Sequence, residues 1–206
     1  GNENTGETFS ASDYAFGSTL SLNLTDRFSV GFNGKYIQQT IANSHAKGFA
    51  IDIGTLFTTP FGFRLGTSIS NFGQKLKMTG SDLLLGADVD ENIDGNNESV
   101  TSILSTDYFD LPLVLRIGIS NEIKIGNKNQ IVWSVDAISP NDNANYINTG
   151  LGLKIFDDLI YFCAGYNSIF LSDREKELAF GMSLKIPKVL NNSLLVYYSY
   201  EAMKFL

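Results

Sequence analysis

The residues best suited to chemistry lie in one acidic stretch near the middle of the chain. Asp90, Asn92 and Asp94 stand at alternate positions and are followed by Gly95. Oxygen ligands at this spacing, followed by a turn-forming glycine, are typical of the first half of a calcium-binding loop. The closing bidentate glutamate is missing, because Glu98 comes too early. The pattern predicts either a calcium site at Asp90, Asn92 and Asp94 or a solvated acidic loop.

The same acidic stretch could also recruit a protein partner. Residues 80–108 contain no lysine or arginine, so a loop there would attract a basic patch on another protein. We therefore predict a long acidic outer loop over residues 80–108. Its predicted partner-binding residues are Asp88, Asp90, Glu91, Asp94 and Glu98.

The remaining reactive side chains do not form a catalytic pattern. His45 is the single histidine and Cys163 the single cysteine, so neither a zinc-binding pair nor a disulfide within the chain can form. A nucleophilic device would need partners aimed at these residues, and the sequence marks none. We expect a solvated histidine, a packed thiol and a protein that is not an enzyme. The candidate calcium ion is the one cofactor that the sequence suggests.

Composition narrows the class of protein. The chain has 206 residues and a net charge of −7, and an acidic chain is repelled by the phosphates of nucleic acids. Its mean hydropathy is −0.01, and it lacks the run of roughly 18 apolar residues that a membrane helix needs. A membrane β-barrel is compatible with these values, because only every second residue of its strands faces lipid.

Alternation of apolar and polar residues is the dominant pattern along the chain. Between residues 28 and 36, for example, aromatic and aliphatic residues alternate with small or polar ones, which gives a strand one apolar and one polar face. Most such segments have ten or more residues. Strands of globular proteins usually have about five or six residues, whereas strands that cross a membrane need about nine to eleven. The predicted strands are 9–24, 28–41, 47–58, 63–79, 109–121, 130–139, 146–156, 159–169, 177–186 and 193–201.

The connections and the charges together predict a transmembrane antiparallel up-and-down β-barrel. Compact connections such as 25–27 and 59–62 alternate with more polar, mostly longer ones such as 80–108, as in outer-membrane barrels. A charge on the lipid face would cost about 2–4 kcal/mol, so single charges within strands should face the lumen. They could line a path for solutes or pair with each other. The predicted lumen-facing residues are Lys35, Asp52, Arg64, Arg116, Asp136 and Lys154.

Several short runs, in order along the chain, resemble the PorV/PorQ family of outer-membrane proteins. The resemblance implies a FadL-like barrel of about fourteen strands. Residues 1–206 would form a single barrel domain holding about ten of these strands, without about three N-terminal strands and the closing C-terminal strand. The runs include 9–13 (FSASD), 24–30 (LTDRFSV), 48–54 (GFAIDIG), 70–73 (SNFG), 110–113 (DLPL) and 137–143 (AISPNDN).

The resemblance also implies a role and a location. It implies a non-enzymatic component of type IX protein secretion or surface attachment in the bacterial outer membrane. Such a protein contacts the lipid bilayer and binds secreted cargo and other outer-membrane or secretion proteins. Two alternatives are a FadL-like transporter of hydrophobic small molecules and a structural anchor for a surface assembly. A soluble all-β binding protein is the simplest alternative to a membrane barrel.

Overall fold

The computed structural model of the protein describes residues 10–87, 100–171, 176–189 and 192–203. In these residues the chain is built from β-strands with one short 3-10 helix at Ser81–Leu83, so the all-β prediction is confirmed. The strands are β1 (Ala11–Thr25), β2 (Phe28–Ile41), β3 (Ser44–Thr58), β4 (Phe63–Gly73), β5 (Leu76–Lys77), β6 (Thr79–Gly80), β7 (Leu84–Ala87), β8 (Val100–Ile103), β9 (Tyr108–Phe109), β10 (Val114–Ile125), β11 (Asn129–Pro140), β12 (Tyr146–Ile155), β13 (Ile160–Ile169), β14 (Lys176–Val189) and β15 (Asn192–Met203).

Ten long strands form one antiparallel, up-and-down sheet, as the alternating connections predict. Their order is β1-β2-β3-β4-β10-β11-β12-β13-β14-β15, and β6 adds to β3. Two small ladders, β5 with β9 and β7 with β8, lie in and beside the predicted outer loop. No ladder joins β1 to β15 within the described residues, so closure into a barrel stays a prediction.

Contacts divide the chain into two compact units. Residues 20–32, 53–70 and 112–206 form one unit, and residues 1–19, 33–52 and 71–111 form the other. The larger unit contains most of β4 and the ladders that join β10 to β15, and the smaller unit contains the short strands β5 to β9.

The register of the larger unit sorts its side chains onto two chemically distinct faces. One row of paired residues runs across four strands, from Trp133 to Leu151, Ala164 and Phe180. In the next row, one residue farther along β11, Ser134 pairs with Gly150. Paired residues share a face, and successive residues alternate between faces. The apolar face is defined here by Leu65, Ile117, Trp133, Leu151, Phe162, Phe180 and Met182, and the polar face by Arg64, Arg116, Ser120, Ser134, Asp136, Gly150 and Lys154.

The apolar face is exposed rather than buried. The exposed fraction is 53% for Ile117, 60% for Leu151 and 51% for Phe180. Among the described residues, the buried hydrophobic side chains are only Ala46, Ala50, Leu76, Leu111 and Ile138. The hydrophobic side of this sheet therefore lacks a protein partner in the described part of the chain.

A small apolar cluster forms in the other unit. Leu76 and Leu111 pack with Ala46 and Ala50 of β3, and Ile37 and Met78 flank them. Gly48 lies beneath Leu76 so closely that an added Cβ atom would overlap the leucine side chain. The segment that follows β4 is thus anchored on β3 by a fully buried leucine.

This cluster explains two errors in the predicted strands. The strand predicted over 63–79 ends at Gly73. Its pairing with β10 stops at Ser70, next to Asn71 with a left-handed φ of 62°, and the chain then places Leu76 in the cluster. The strand predicted to begin at Phe109 begins at Val114. Leu111 is buried in the same cluster, and Pro112 has no N–H group to donate to a ladder.

We expect Gly48→Ala to destabilise the protein by about 1–3 kcal/mol, since the added methyl group must displace buried Leu76. Gly34→Ala on β2 is the matched control, because no atom lies within 4 Å of the point that an added Cβ would occupy there. Denaturant unfolding of both variants tests the difference. Equal stability of the two variants would show that the contact between Gly48 and Leu76 is not tight.

Candidate functional site

Two of the six predicted lumen-facing residues form an ion pair with each other, and hydrogen bonds support it. Lys35 Nζ lies 2.7 Å from Asp52 Oδ1. Asn33 Nδ2 donates to the other carboxylate oxygen at 2.9 Å, and the backbone N–H of Asn71 donates to Oδ1 at 2.8 Å. Both charged side chains are largely buried, with exposed fractions of 18% and 24%. This network ties β2 and β3 to the end of β4.

Two more predicted charges meet on a third residue in the larger unit. Arg64 Nη1 lies 3.0 Å from Glu122 Oε1, and Lys154 Nζ lies 3.4 Å from Glu122 Oε2. Glu122 is not among the predicted site residues, because the predicted strand ends at Asn121 and residues 122–129 are predicted as a connection. The strand continues to Ile125. The alternation Glu122-Ile123-Lys124-Ile125 is the signal that could have extended it.

Arg116 and Asp136 differ from the other four charges. Neither side chain makes an ion pair or a hydrogen bond within the described part of the chain. Together with Arg64 they line an open groove of about 550 Å³ on the polar face. The walls of the groove also carry the hydroxyl groups of Ser21, Ser29, Ser68, Ser120 and Ser134.

Glycines on the polar face make room for larger neighbours. A Cβ atom at Gly118 would overlap the carboxylate of Asp136, so that carboxylate lies directly over the glycine. In the same way the Tyr161 ring lies over Gly152, and Cys163 Sγ lies 2.7 Å from the point that a Cβ atom would occupy at Gly181. The thiol is half-buried against the sheet, in line with its prediction as a packed residue.

The residues predicted to bind a partner or calcium lie in a part of the chain that the structure does not describe. Asp88, Asp90, Glu91, Asn92, Asp94 and Glu98 all lie outside the described residues. The β7–β8 ladder brings the two sides of this stretch together, with Leu84 opposite Ile103. Within the described ranges, no three His, Cys, Asp or Glu side chains come together as a metal site.

Hydrogen bonds join Asn43 to Asp82, near the start of the predicted outer loop. The side-chain amide and the backbone N–H of Asn43 donate to the Asp82 carboxylate at 2.9 and 2.8 Å, and these bonds hold the pKa of Asp82 below its usual range. His45 precedes the strand predicted over 47–58, but β3 begins at Ser44 and includes it. There His45 is half-buried and pairs with Thr79 of β6.

Comparisons with known proteins leave the family open. The chain matches no model of a known protein family, and no curated protein matches it. The resemblance to the PorV/PorQ family therefore stays a prediction. In the part of the chain that the structure describes, no helix has the length and apolar character needed to cross a membrane.

We expect Asp52→Asn to destabilise the protein by about 1–3 kcal/mol, because it weakens charge-assisted hydrogen bonds and leaves the Lys35 ammonium without its counter-ion. Asp110→Asn is the matched control. The pair of Lys75 and Asp110, at 3.1 Å, is exposed by 59% and 58%, and such surface pairs contribute at most about 1 kcal/mol. Chemical unfolding measures both changes. A loss as large for Asp110→Asn would contradict the expected role of burial.

Proposed function

We propose that this chain is part of a membrane β-barrel whose apolar face contacts lipid and whose polar face lines the barrel interior. The exposed apolar face carries this proposal. A soluble monomer rarely exposes an apolar patch of more than a few hundred square ångströms, yet here one whole side of the larger unit is apolar and open to its surroundings. Lipid would cover that side in a bilayer.

Strand length and aromatic placement support the same proposal. The ten long strands have 10 to 15 residues, whereas a tilted strand needs roughly 9–11 to cross the hydrocarbon core. Phe61 and Phe156, in two of the compact turns, are 84% and 60% exposed. Aromatic side chains at strand ends are typical of the interface between membrane and water.

The role that best fits such a barrel is the one implied by the PorV/PorQ resemblance. We propose a non-enzymatic component of type IX secretion or surface attachment in the bacterial outer membrane. Its outer loops, above all residues 80–108, would bind secreted cargo and translocon partners. We favour this role over transport of hydrophobic molecules, because the polar face carries two arginines, an aspartate and several serines that a hydrophobic molecule would leave unsatisfied.

We expect Leu151→Lys to prevent stable membrane insertion. Leu151 is exposed near the middle of β12, so a lysine there would be tolerated in water but would cost about 2–4 kcal/mol against lipid. Ser134→Lys on the neighbouring strand is the matched control, because its side chain enters the polar groove. Membrane fractionation and resistance to alkaline extraction measure insertion. A protein that stays in the supernatant without detergent, or a Leu151→Lys variant that inserts normally, would refute the membrane proposal.

We expect deletion of residues 88–98 to abolish capture of secretion partners while the sheet stays folded. The assay is gentle detergent extraction of the full-length protein from its native membrane, followed by mass spectrometry of co-purifying proteins. With the natural protein we expect a large translocon barrel, or cargo with a β-rich C-terminal signal domain, to co-purify. With the deletion variant we expect neither. A second variant changes Asp88, Asp90, Glu91, Asp94 and Glu98 to their amides, and so separates the effect of charge from that of loop length. Unchanged capture by both variants would exclude the loop as the recognition element.

A further inference from the structure

The groove on the polar face holds two opposite charges that no other described residue matches. Lys35 is paired with Asp52, while Arg64 and Lys154 share Glu122. Arg116 and Asp136 have no such partner among the described residues, although both line the same groove. A charged group in a groove that is unmatched by protein is available for a ligand of opposite charge.

The register sets the spacing of these two charges. Gly118 is paired with Asp136, so Arg116, two residues before Gly118 on β10, is a diagonal neighbour of Asp136. Such neighbours have Cα atoms roughly 7–8 Å apart. The two side chains nevertheless do not meet, since no nitrogen of Arg116 lies within ion-pair distance of the Asp136 carboxylate in the described structure.

Gly118 determines where the Asp136 carboxylate lies. Because glycine has no side chain, the carboxylate lies flat across β10 at that position, while Arg116 is exposed farther along the strand. The hydroxyl groups of Ser68, Ser120 and Ser134 line the same groove. The groove thus offers one cationic group, one anionic group and neutral hydrogen-bonding groups close together.

We propose that this groove binds a small zwitterion of dipeptide size, with its carboxylate on Arg116 and its ammonium group on Asp136. A guanidinium group binds a carboxylate through two parallel hydrogen bonds, and the Asp136 carboxylate accepts hydrogen bonds from an ammonium group. The serine hydroxyls suit the peptide group between the two ends. A volume of about 550 Å³ lies within the usual range of small-molecule sites.

The inference depends on the polar face of the sheet and not on the proposed secretion role. Binding can be measured on purified full-length protein in detergent, where cargo and translocon are absent. Failure of the secretion proposal would leave the binding result unchanged, and absence of binding would leave the membrane proposal unchanged.

The test is isothermal titration of the purified protein with glycylglycine, whose two ends carry opposite charges. N-acetylglycine carries only the carboxylate, and glycinamide only the ammonium group. We expect glycylglycine to bind about tenfold or more tighter than either, because each charge-assisted contact adds to the affinity. Arg116→Gln should remove the advantage over glycinamide, and Asp136→Asn the advantage over N-acetylglycine.

Gly118→Ala gives a sharper test, because it displaces the Asp136 carboxylate without changing any charge. We expect it to weaken glycylglycine binding about as much as Asp136→Asn, whereas Gly34→Ala, which is not part of the groove, should leave binding unchanged. Circular dichroism checks that each variant keeps its strand content. The proposal is overturned if glycylglycine does not bind at millimolar concentration, if N-acetylglycine binds equally well, or if all the charge variants bind as the natural protein does.

Discussion

The period-two register of the sheet is the constraint on which the rest of the structure depends. A slip of one residue between neighbouring strands would move every side chain to the opposite face. Leu151 and Phe180 would then replace the serines and glycines of the polar face, and Arg116 would enter the apolar face. Because one face is apolar throughout and the other carries the charges, the sequence tolerates a single register. The exposed apolar face, the ion pairs and the groove all follow from it.

An unmatched charge away from bulk water is costly, and one network in each unit avoids that cost. In the smaller unit Lys35 pairs with Asp52, whose carboxylate also accepts hydrogen bonds from the side chain of Asn33 and the backbone N–H of Asn71. In the larger unit Glu122 pairs with both Arg64 and Lys154. Each network crosses several strands, so it also fixes their register. Glycines contribute by allowing long side chains such as Tyr161 to lie flat over the sheet.

The sequence was sufficient for the long strands and for which residues share a face, because both depend on local alternation. β2 agrees at both ends with its prediction, and most other strands agree within a few residues. The errors arise where distant residues decide the outcome. Leu76 leaves the strand pattern to pack with Leu111 and Ala46, and nothing local to Leu76 signals those partners. Likewise Glu122 is recognisable as a site residue only once Arg64 on β4 and Lys154 on β12 are seen to pair with it.

The sequence alone leaves two explanations open for the charges of the polar face: they pair with each other, or they line a path for solutes. The groove distinguishes between them. If the charges of the polar face served stability only, Arg116 and Asp136 should pair with each other, since a diagonal contact between β10 and β11 would suffice. Instead, the Asp136 carboxylate lies over Gly118 and Arg116 stays exposed. If the protein only bound partners through its outer loops, Arg116 and Asp136 would have no role in that binding. The pair left unmatched among the described residues therefore favours a polar face that binds a solute, while Glu122 joins β4, β10 and β12 through its pairs with Arg64 and Lys154.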